Sequence, residues 1–523
     1  MNLLFKDSNN NNDNNNSNDN NAITITPDCY LHLALDEIID SIAVTKEEKE
    51  LMRITLSTIP RDDTTCIYRQ NILKDFLYDE ALCNDLFEII KKLDILKEYH
   101  DNGRFSIVKK ASLYDLIDYM NEMEVYIEII DGLNEIFNKY DIKSLGLLSI
   151  RDLLKDVTDS DRIDELKKIV SSLRADISTL KSVTLGVNLS PDLRPEEIKI
   201  IEFNNVPYLS QFTKTAWGLS IGSGRRIRYQ NPSQFMKYIC DDMEKELSKN
   251  VVRYKKELKE YINFKGYFLL DILNDLRVYL MMARFGRKLT NKGYTISFPE
   301  IDNASRDVSI KGIYNLRLAI KNESSIVKND FTFSNNEKIF ILTGPNRGGK
   351  TMLTQALGIN ALFASLGFFV MADSYMGYTF KNILTHFPQD ENLTLDLGRL
   401  GEEATRTKKI VKEADPRTLV LLNETYSSTS ATDALYLAFD LVHILKHNGV
   451  PTVFNTHLHE LARNTKKMNE WDGDSNVVSL TMEIKDNVNT YKVLRQEPDN
   501  TSFARNIALK YGVTYEQFLE DKD

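Results

Sequence analysis

The segment GPNRGGKT, from Gly344 to Thr351, contains the residue types that a phosphate group requires, at the spacing of the pattern G-x-x-x-x-G-K-[ST]. Glycines let backbone N–H groups converge on phosphate oxygens, and Lys350 supplies a positive charge near the β and γ phosphates. The hydroxyl of Thr351 can bind magnesium, and the N-terminus of the helix that follows attracts anions. We therefore predict a site for ATP or GTP, with Mg²⁺ as its ion. The predicted nucleotide contacts come from the whole loop: Gly344, Pro345, Asn346, Arg347, Gly348, Gly349, Lys350 and Thr351.

A second segment, LVLLNETYSSTSATDA, begins at Leu419 as a buried strand and ends in hydroxyl residues. In a nucleotide-hydrolysing protein we expect Asp-Glu where such a strand ends, but this chain has Asn423 before Glu424. We predict that Glu424 is the general base, which orients and deprotonates the attacking water. Asn423 is the second predicted magnesium contact beside Thr351, through its amide oxygen. Because one negative charge is missing, we expect weaker magnesium binding and slower turnover.

A later strand ends in VFNTHLHE, which adds two histidines to the predicted site. His457 is the predicted second catalytic residue, because a neutral ring nitrogen there could contact the γ-phosphate or the attacking water. His459 is the competing candidate. A metal site is a third interpretation of the pair, although no further cluster of ligands accompanies it.

The composition is that of a globular protein, since 42% of the residues are hydrophobic and 27% are charged. The longest apolar run, Ala361 to Ala372, is shorter than the roughly 18 residues of a membrane-spanning helix, so we expect no membrane span. The start, MNLLFKDSNNNN, lacks a basic region followed by an apolar core, which argues against secretion. The cysteines lack metal-ligand spacing and are expected to be buried reduced thiols in a cytoplasmic protein. They are Cys29, Cys66, Cys83 and Cys240.

The formal net charge of −10 argues against a protein that binds nucleic acid through its overall charge alone. A local basic groove is compatible with it, because binding depends on where the charges lie. Arg225, Arg226 and Arg228 follow a Gly-Ser-Gly turn and are the candidate contacts to a DNA backbone. An ordinary solvated surface loop is the alternative interpretation.

With 523 residues the chain is too long for one compact core, and we expect roughly two to four domains. Residues 1–22 contain an Asn-rich tract and are predicted to be a disordered leader. Apolar residues at steps of three and four predict helices over 23–181, and a long helix from about Val251 to Leu280 within the region 246–300. Residues 182–245 begin with alternating β-branched residues and are predicted to be a mixed insertion. Over 301–523, short apolar strands alternate with helices, which predicts a parallel sheet with functional groups at the carboxyl ends of its strands.

Three of these segments resemble the ATPase domain of the MutS mismatch-repair family, within the ABC-type ATPase class. They are TGPNRGGKTMLTQALGINALFASLGFFVMA from Thr343, LVLLNETYSSTSATDA from Leu419 and FNTHLHELA from Phe454. Weaker similarity extends to IYRQNILKDF from Ile67, which resembles the start of the family's helical lever, and to SVTLGVNLS from Ser182, which resembles its clamp. TSFARNIALKYGVT from Thr501 resembles the segment that closes the ATPase domain. The resemblance implies a multidomain protein, with a mostly α-helical lever and clamp region before a C-terminal α/β P-loop ATPase domain.

The resemblance also implies a homodimer with composite ATP sites, in which ATP binding and hydrolysis switch a clamp on DNA. Ile326, in IVKND, takes the position of an apolar residue that packs on adenine. Glu402 and Glu403 lie at the position of a loop that contacts nucleotide and partner. A hydroxyl-rich turn would approach the γ-phosphate of the other subunit, and an acid after it would couple the two sites. These residues are Ser427, Ser428, Thr429, Ser430 and Asp433.

Family members that detect mismatches carry an N-terminal domain with a Phe-x-Glu wedge, whereas this chain reaches lever-like sequence early. We therefore expect no direct mismatch recognition, and no nuclease-like domain. The expected partner is duplex or branched DNA, recognised by its shape during repair or recombination. The alternative is a nucleotide-dependent switch that binds a protein partner. A transporter-type ATPase is disfavoured, because that class lacks a long helical N-terminal half.

Overall fold

The computed structural model describes residues 3–4, 22–101, 113–207, 268–321, 326–388, 398–473, 475–485 and 488–498. The chain divides into two compact units. The helical unit contains Glu80–Leu273, and the α/β unit contains Asn2–Asp79 together with Asn274–Asp523. The candidate DNA contacts and the segment from Thr501 onward lie outside the described residues. Those candidate contacts are Arg225, Arg226 and Arg228.

The described helices are α1 (Pro27–His32), α2 (Leu35–Ile42), α3 (Lys46–Ser57), α4 (Asp63–Tyr78), α5 (Glu80–Asp101), α6 (Leu113–Lys139), α7 (Leu145–Thr158), α8 (Asp161–Ser178), α9 (Phe268–Asn291), α10 (Leu316–Ile320), α11 (Lys350–Ser365), α12 (Arg399–Glu413), α13 (Ala431–His447), α14 (His459–Arg463) and α15 (Thr465–Asn469). The described strands are β1 (Ala22–Thr24), β2 (Thr58–Pro60), β3 (Ser182–Leu189), β4 (Pro195–Asn204), β5 (Glu300–Ile301), β6 (Val308–Ile313), β7 (Asn329–Phe333), β8 (Glu337–Thr343), β9 (Ser374–Gly377), β10 (Asn382–His386), β11 (Thr418–Asn423), β12 (Thr452–Asn455), β13 (Asn476–Lys485) and β14 (Val488–Leu494). Polar residues start several of the helices. Thr45 and Glu48 form a reciprocal capping box at the start of α3, and Asp62 caps α4.

In the helical unit, α6 packs against α5, α7 and α8. The apolar periodicity explains this packing, because Leu86, Ile90 and Leu93 of α5 are buried, as are Ile129 and Ile130 of α6. Strands β3 and β4 follow as an antiparallel hairpin, in agreement with the alternation in SVTLGVNLS. The unit therefore combines packed helices with one described hairpin.

The main sheet of the α/β unit has the strand order β10-β11-β12-β8-β13-β14. Neighbouring strands are parallel except for the last pair, β13 and β14, which is antiparallel. Every residue of β11 is buried, which is typical of a parallel strand covered on both faces. A second sheet of the unit has the order β5-β9-β6-β7.

Three central strands bring the chemical segments to one edge of the main sheet. β8 runs into the phosphate loop that begins at Gly344, β11 ends at Asn423, and β12 ends at Asn455. The register pairs Asn423 with Asn455, and Asn455 with Leu342, so the strand ends are level. The phosphate loop and the residues that follow β11 and β12 therefore emerge side by side.

The two compact units do not follow the predicted region boundaries. We predicted one helical region over 23–181, whereas residues 22–79 belong to the α/β unit. There β1 pairs with β2, and the thiol of Cys66 in α4 donates to the carbonyl of Ser365 in α11 at 3.1 Å. The division predicted at residue 300 likewise lies at Asn274, within α9. Periodicity shows which face of a helix is buried but not which neighbour covers it.

The leader and the long helix also differ from the predictions. Leu3 is buried, and Ala22 already belongs to β1, so the predicted leader 1–22 contains ordered contacts at both ends. The long helix, predicted from about Val251 to Leu280, is described as α9 and continues to Asn291. Its predicted first part, 251–267, lies outside the described residues.

The described residues include three of the four cysteines and the helices that were considered for a membrane span. Cys29, Cys66 and Cys83 are buried, as predicted, and form no disulfide with one another, whereas Cys240 lies outside the described residues. In the part of the chain that the structure describes, no helix has the length and apolar character needed to cross a bilayer.

Candidate nucleotide-binding site

The loop between β8 and α11 has a backbone shape that requires glycine. Gly344 has a φ of 140° and Gly349 a φ of 94°, conformations that other residues rarely adopt. Space is also limiting, because a Cβ on Gly344 would lie 2.9 Å from the Cβ of Met482. The N–H of Gly348 donates to the carbonyl of Pro345 at 3.1 Å and closes the turn. The loop then leads directly into the N-terminus of α11, an end that favours anions.

Lys350, the first residue of α11, is buried beneath this loop. Its ammonium group donates to the carbonyls of Gly344, at 3.0 Å, and Pro345, at 3.1 Å. Burial lowers the pKa of Lys350, and the carboxylate of Glu424 opposes that effect. Two backbone carbonyls therefore hold the cation in the loop.

A cavity of about 480 Å³ opens beside the loop. Small-molecule sites typically have volumes of about 300–1,000 Å³. The predicted nucleotide contacts from Pro345 to Thr351 all line the cavity, and Glu424 lines it as well. Gly344 does not line it, but its carbonyl accepts the hydrogen bond from Lys350. The structure thus brings the phosphate loop and the predicted base to one cavity.

The two predicted magnesium contacts are hydrogen-bonded to each other. The hydroxyl of Thr351 donates to the side-chain oxygen of Asn423 at 3.2 Å. On the neighbouring strand, the amide nitrogen of Asn455 donates to the same oxygen. Asn455 therefore fixes the amide of Asn423 with its oxygen towards Thr351. The side-chain oxygen of Asn455 is buried and has no hydrogen-bond partner among the described residues.

These side chains fit a nucleotide-bound magnesium ion. Mg²⁺ prefers oxygen ligands and is usually held by one or two protein groups together with phosphates and waters. In the described ranges, no group of three or more His, Cys, Asp or Glu side chains could hold a metal ion. The interpretation of His457 and His459 as a metal site therefore gains no support there.

Glu424 and His457 contact each other beside the cavity. The Nε2 atom of His457 lies 3.1 Å from Oε1 of Glu424. This contact lowers the pKa of Glu424, while partial burial raises it. Glu424 has a φ of 50°, a strained conformation for a residue other than glycine. Its N–H donates to the carbonyl of Asn455 at 2.8 Å, which holds the turn after β11 in place.

His459, the competing candidate, has a different position. It is the first residue of α14, and its Nδ1 is buried without a hydrogen-bond partner among the described residues. The structure describes no hydrogen bond between His459 and Glu424, whereas it gives one for His457. The geometry therefore favours His457 as the residue beside the predicted base.

The hydroxyl-rich turn lies on the surface of the α/β unit. Its residues do not line the cavity, and all but the half-buried Thr429 are exposed. The hydroxyl of Ser430 accepts the N–H of Asp433 at 3.2 Å, so Ser430 caps α13. The helix accordingly begins at Ala431. The set comprises Ser427, Ser428, Thr429, Ser430 and Asp433.

Ser428 is restrained by an acid from a neighbouring helix. Its hydroxyl donates to Oε2 of Glu403 at 3.0 Å. Glu403 and Glu402 belong to α12, although the resemblance places a loop in this segment. Partial burial raises the pKa of Glu403, and the hydrogen bond from Ser428 opposes that effect. One hydroxyl of the turn is thus held by the chain's own carboxylate.

Other walls of the cavity contain residues that we did not predict. Val327 lines the cavity, whereas the predicted adenine contact Ile326 does not. Tyr491 of β14 also lines it, and the ring of Tyr491 closely approaches Gly349. Tyr491 has a φ of 60°, which is again a strained conformation. Because Tyr491 lines the cavity next to the phosphate loop, it is a candidate contact to the base or sugar of a nucleotide.

Asn329 holds Tyr491 in this position. Its side-chain nitrogen donates to the carbonyl of Tyr491 at 3.0 Å, and its side-chain oxygen accepts the N–H of Val493 at 2.9 Å. Asn329 starts β7 of the second sheet, so these bonds join that sheet to β14 of the main sheet. The segment IVKND, which we connected with adenine, therefore contributes through Asn329 and Val327.

Two buried histidines near the same sheet edge were also not predicted. His386 ends β10, and its Nδ1 lies 3.0 Å from the hydroxyl of Thr425, the residue after the predicted base. The Nδ1 of His32 lies 2.8 Å from the hydroxyl of Thr385, and its ring stacks on Phe387. Burial lowers the pKa of His386 to about 3 and that of His32 to about 4. Both rings are therefore neutral at physiological pH.

Two protein-family models match this chain. The model for MutS domain V matches residues 340–516, which include the phosphate loop, Glu424 and His457. The model for the MutS2 N-terminal domain matches residues 61–216, which include α4, the described helices of the helical unit up to α8 and the β3–β4 hairpin.

Similar curated proteins carry the same family names. The DNA mismatch repair protein MutS of Clostridioides difficile (strain 630) is 26% identical over 411 residues, which cover 75% of this chain and 42% of that protein. The corresponding protein of Fusobacterium nucleatum is 22% identical over 493 residues, or 88% of this chain and 53% of that protein. Endonuclease MutS2 of Lachnospira eligens is 34% identical over 164 residues, or 30% of this chain and 21% of that protein.

The matched regions span between about a fifth and about a half of the length of these relatives. One family model covers the phosphate loop and the predicted base, the other covers much of the helical unit, and relatives of both kinds align with the chain. The phosphate loop, its cavity and these matches agree with one another. The chain is a member of the MutS family.

Proposed function

We propose that this chain binds ATP with Mg²⁺ in the cavity beside the phosphate loop and hydrolyses it. The contact between Glu424 and His457, at a wall of that cavity, carries the proposal. A carboxylate in this place can accept a proton from water, while the loop supplies N–H groups to the phosphates. Membership of the family supports the same activity.

Each residue has its own task in the proposed reaction. Lys350, which donates to two loop carbonyls, would turn to the β and γ phosphates. Glu424 is ionised at neutral pH, since its contact with His457 lowers its pKa, and it would orient and deprotonate the attacking water. Thr351 and Asn423 would hold Mg²⁺, which neutralises charge on the phosphates when it is bound.

The proposal includes a homodimer with composite sites. The turn from Ser427 to Ser430 is largely exposed and lies outside the cavity of its own chain, so it is available to a γ-phosphate bound by another subunit. Asp433, at the start of α13, would couple the two sites. The hydroxyl of Ser428 donates to Glu403 in the single chain, so in this arrangement it would exchange that carboxylate for the γ-phosphate.

For the biological role, we propose an ATP-switched clamp on duplex or branched DNA, acting in repair or recombination in the cytoplasm. The names of the relatives support it, since they are DNA mismatch repair proteins and MutS2 endonucleases. The helices of the helical unit and the β3–β4 hairpin occur in the segments that the resemblance assigns to a lever and a clamp. Arg225, Arg226 and Arg228 remain the proposed contacts to the DNA backbone.

A nucleotide-dependent switch that binds a protein partner is the second candidate. The net charge of −10 favours it, because DNA phosphates repel an acidic protein unless basic residues are clustered. The two candidates share the nucleotide site and differ only in the macromolecule that the switch controls.

Equilibrium binding of a fluorescent ATP analogue tests the nucleotide site. Wild-type protein should bind the analogue in the presence of Mg²⁺. Lys350→Met should weaken binding by about tenfold or more, because the phosphates lose a cation. Lys408→Met, on the exposed face of α12, is the matched control and should bind like wild type. Failure of the folded wild-type chain to bind ATP would refute the proposal.

A further inference from the structure

Leu3 and Leu4 lie against α4 and α9 of the α/β unit, apart from the nucleotide cavity. The N–H groups of Leu3 and Leu4 donate to Oδ2 of Asp275, at 2.7 and 3.3 Å. The hydroxyl of Tyr279 donates to the carbonyl of Leu3 at 2.7 Å, and Nε of Arg69 donates to the carbonyl of Leu4. Four hydrogen bonds thus bind the main chain of two residues.

The groups that make these bonds are themselves buried. Arg69 is 2% exposed, Asp275 8% and Tyr279 0%. Buried charged and polar groups require partners, since an unpaired one is costly. Burial raises the pKa of Asp275, whereas the two backbone N–H groups and Arg69 oppose that effect. The side chain of Leu3 is fully buried beside them.

We propose that Arg69, Asp275 and Tyr279 form a binding site for a short apolar peptide segment, and that the segment bound there is Leu3–Leu4 of the same chain. Recognition is through the peptide main chain, with the Leu3 side chain as the apolar anchor. Nothing in this proposal depends on the proposed ATPase or DNA-binding activity.

The sequence around Leu3 and Leu4 supports this occupant. Before Ala22, the apolar residues are confined to the first five positions, and residues 8–21 are Asn, Asp and Ser. An apolar anchor is thus followed by a polar stretch with no apolar side chain to bury. Because Ala22 pairs in β1 of the same unit, the chain is fixed at both ends of this stretch.

The site joins three helices of the α/β unit. Arg69 belongs to α4 and donates not only to Leu4 but also to the carbonyl of Leu366 at 3.2 Å. Leu366 caps the C-terminus of α11, the helix that starts at Lys350 of the phosphate loop. Asp275 and Tyr279 belong to α9. The bound segment therefore links α9 and α4, and Arg69 extends that link to the phosphate-loop helix.

A chain that lacks residues 1–4 tests the site, with the synthetic peptide MNLLFKD as the probe. The shortened chain should unfold at a temperature at least about 4 °C below that of the full chain. The free peptide should bind it saturably and restore much of the lost stability, whereas a peptide with Leu3→Asp should do neither. Tyr279→Phe in the shortened chain should weaken peptide binding several-fold, because it removes only the hydroxyl that donates to Leu3. Tyr436→Phe, at an exposed tyrosine, is the matched control and should leave peptide binding by the shortened chain unchanged.

If the shortened chain does not fold, Leu3→Ala in the full chain replaces it. That variant should be less stable than wild type, and Asn9→Ala should be as stable as wild type. Equal unfolding temperatures of the full and shortened chains would overturn the proposal, as would a folded shortened chain that binds no peptide. Dissociation of a dimer of the full chain by the free peptide would show that the site takes the segment of a second copy, and would overturn the assignment to the same chain.

Discussion

Asn455 organises the candidate site at the scale of single residues, although it carries no predicted chemistry of its own. Its carbonyl accepts the N–H of Glu424, and its side-chain nitrogen donates to Asn423. A left-handed conformation such as that of Glu424 costs on the order of 1–3 kcal/mol unless the surroundings hold it. One residue of the neighbouring strand therefore positions both the predicted base and the predicted magnesium contact.

Glu424→Gln should slow ATP hydrolysis by about a hundredfold or more, because an amide cannot accept the proton of the attacking water. Binding of ATP should be retained, since the phosphate loop is unchanged. Phosphate release and nucleotide binding should be measured on the same samples. Glu460→Gln, at an exposed carboxylate of α14, is the control and should hydrolyse ATP at the wild-type rate. Equal hydrolysis by Glu424→Gln and wild type would show that the base lies elsewhere.

Asn423→Asp should strengthen magnesium binding, because it adds a negative charge beside Thr351. Aspartate can still accept the hydrogen bonds from Thr351 and Asn455. The measurement is a Mg²⁺ titration of nucleotide binding, and the half-saturating concentration should fall several-fold. An unchanged titration would place residue 423 outside the influence of the ion.

Tyr491→Ala should weaken nucleotide binding by about tenfold, since an aromatic contact contributes on the order of 1 kcal/mol beyond its buried area. Tyr491→Phe keeps the ring and should bind nearly as well as wild type. Isothermal titration with ATP measures both. If Tyr491→Ala binds like wild type, the ring does not contact the nucleotide.

At the scale of the elements, the end of β10 makes stability depend on pH. Burial lowers the pKa of His386 to about 3 and of His32 to about 4, whereas unfolded histidine titrates near pH 6.5. At pH values between the folded and the unfolded pKa, the unfolded chain therefore binds more protons than the folded chain. The contribution of the two neutral histidines to stability is complete above about pH 6.5 and decreases as the pH falls. We expect a loss on the order of 1 kcal/mol per histidine for each pH unit below 6.5, measured by urea unfolding.

His386→Asn separates this effect from the titration of other groups. Asparagine can keep a hydrogen bond to Thr425 but does not titrate. The free energy of unfolding should therefore fall less steeply between pH 6.5 and 5 in the variant than in wild type. Above pH 7 the pH dependence of the two proteins should be the same. If the free energy of unfolding fell equally steeply with pH in both proteins over the acidic range, His386 would have no role in the pH dependence of stability.

The sequence was most informative where chemistry requires particular residues in a continuous segment. The phosphate loop and the strand ending at Asn423 and Glu424 were recognisable because glycines, a lysine and a carboxylate stand at fixed spacing after apolar runs. Tyr491 and Asn329 gave no such signal, since they meet through pairing between distant strands. His386 was also not predicted, because a single histidine at the end of a strand does not by itself indicate a site.

The boundaries of the units could not be predicted for a related reason. Residues 22–79 have the same apolar periodicity as the helices that follow, and only their packing places α4 beside α11. Leu3 and Leu4 looked like part of a polar leader, because their partners Asp275 and Tyr279 are far away in the sequence. Periodicity records burial, whereas the choice of partner depends on the whole fold.

At the scale of the whole molecule, binding to DNA should decrease steeply as salt increases. Each phosphate neutralised by Lys or Arg releases counterions, so the logarithm of affinity falls linearly with the logarithm of the salt concentration. Gel-shift titrations should use homoduplex, mismatched and branched DNA, with and without ATP. The double variant Arg225→Glu and Arg226→Glu should weaken binding and reduce the salt slope, whereas Lys408→Met should not. If none of these DNAs binds, the protein-partner candidate replaces the clamp.

The strands β13 and β14 have a consequence for the synthesis of this protein. Met482 and Tyr491 line the nucleotide cavity, but they are translated long after the phosphate loop at residues 344–351. β8 cannot pair with β13 until residues 476–485 have left the ribosome. Pairing between strands so far apart in the sequence costs loop-closure entropy before any stabilising contact has formed. A nascent chain that already carries the complete phosphate loop therefore still lacks its pocket, and the proposed ligand ATP could assist folding only after residue 491 has emerged from the ribosome.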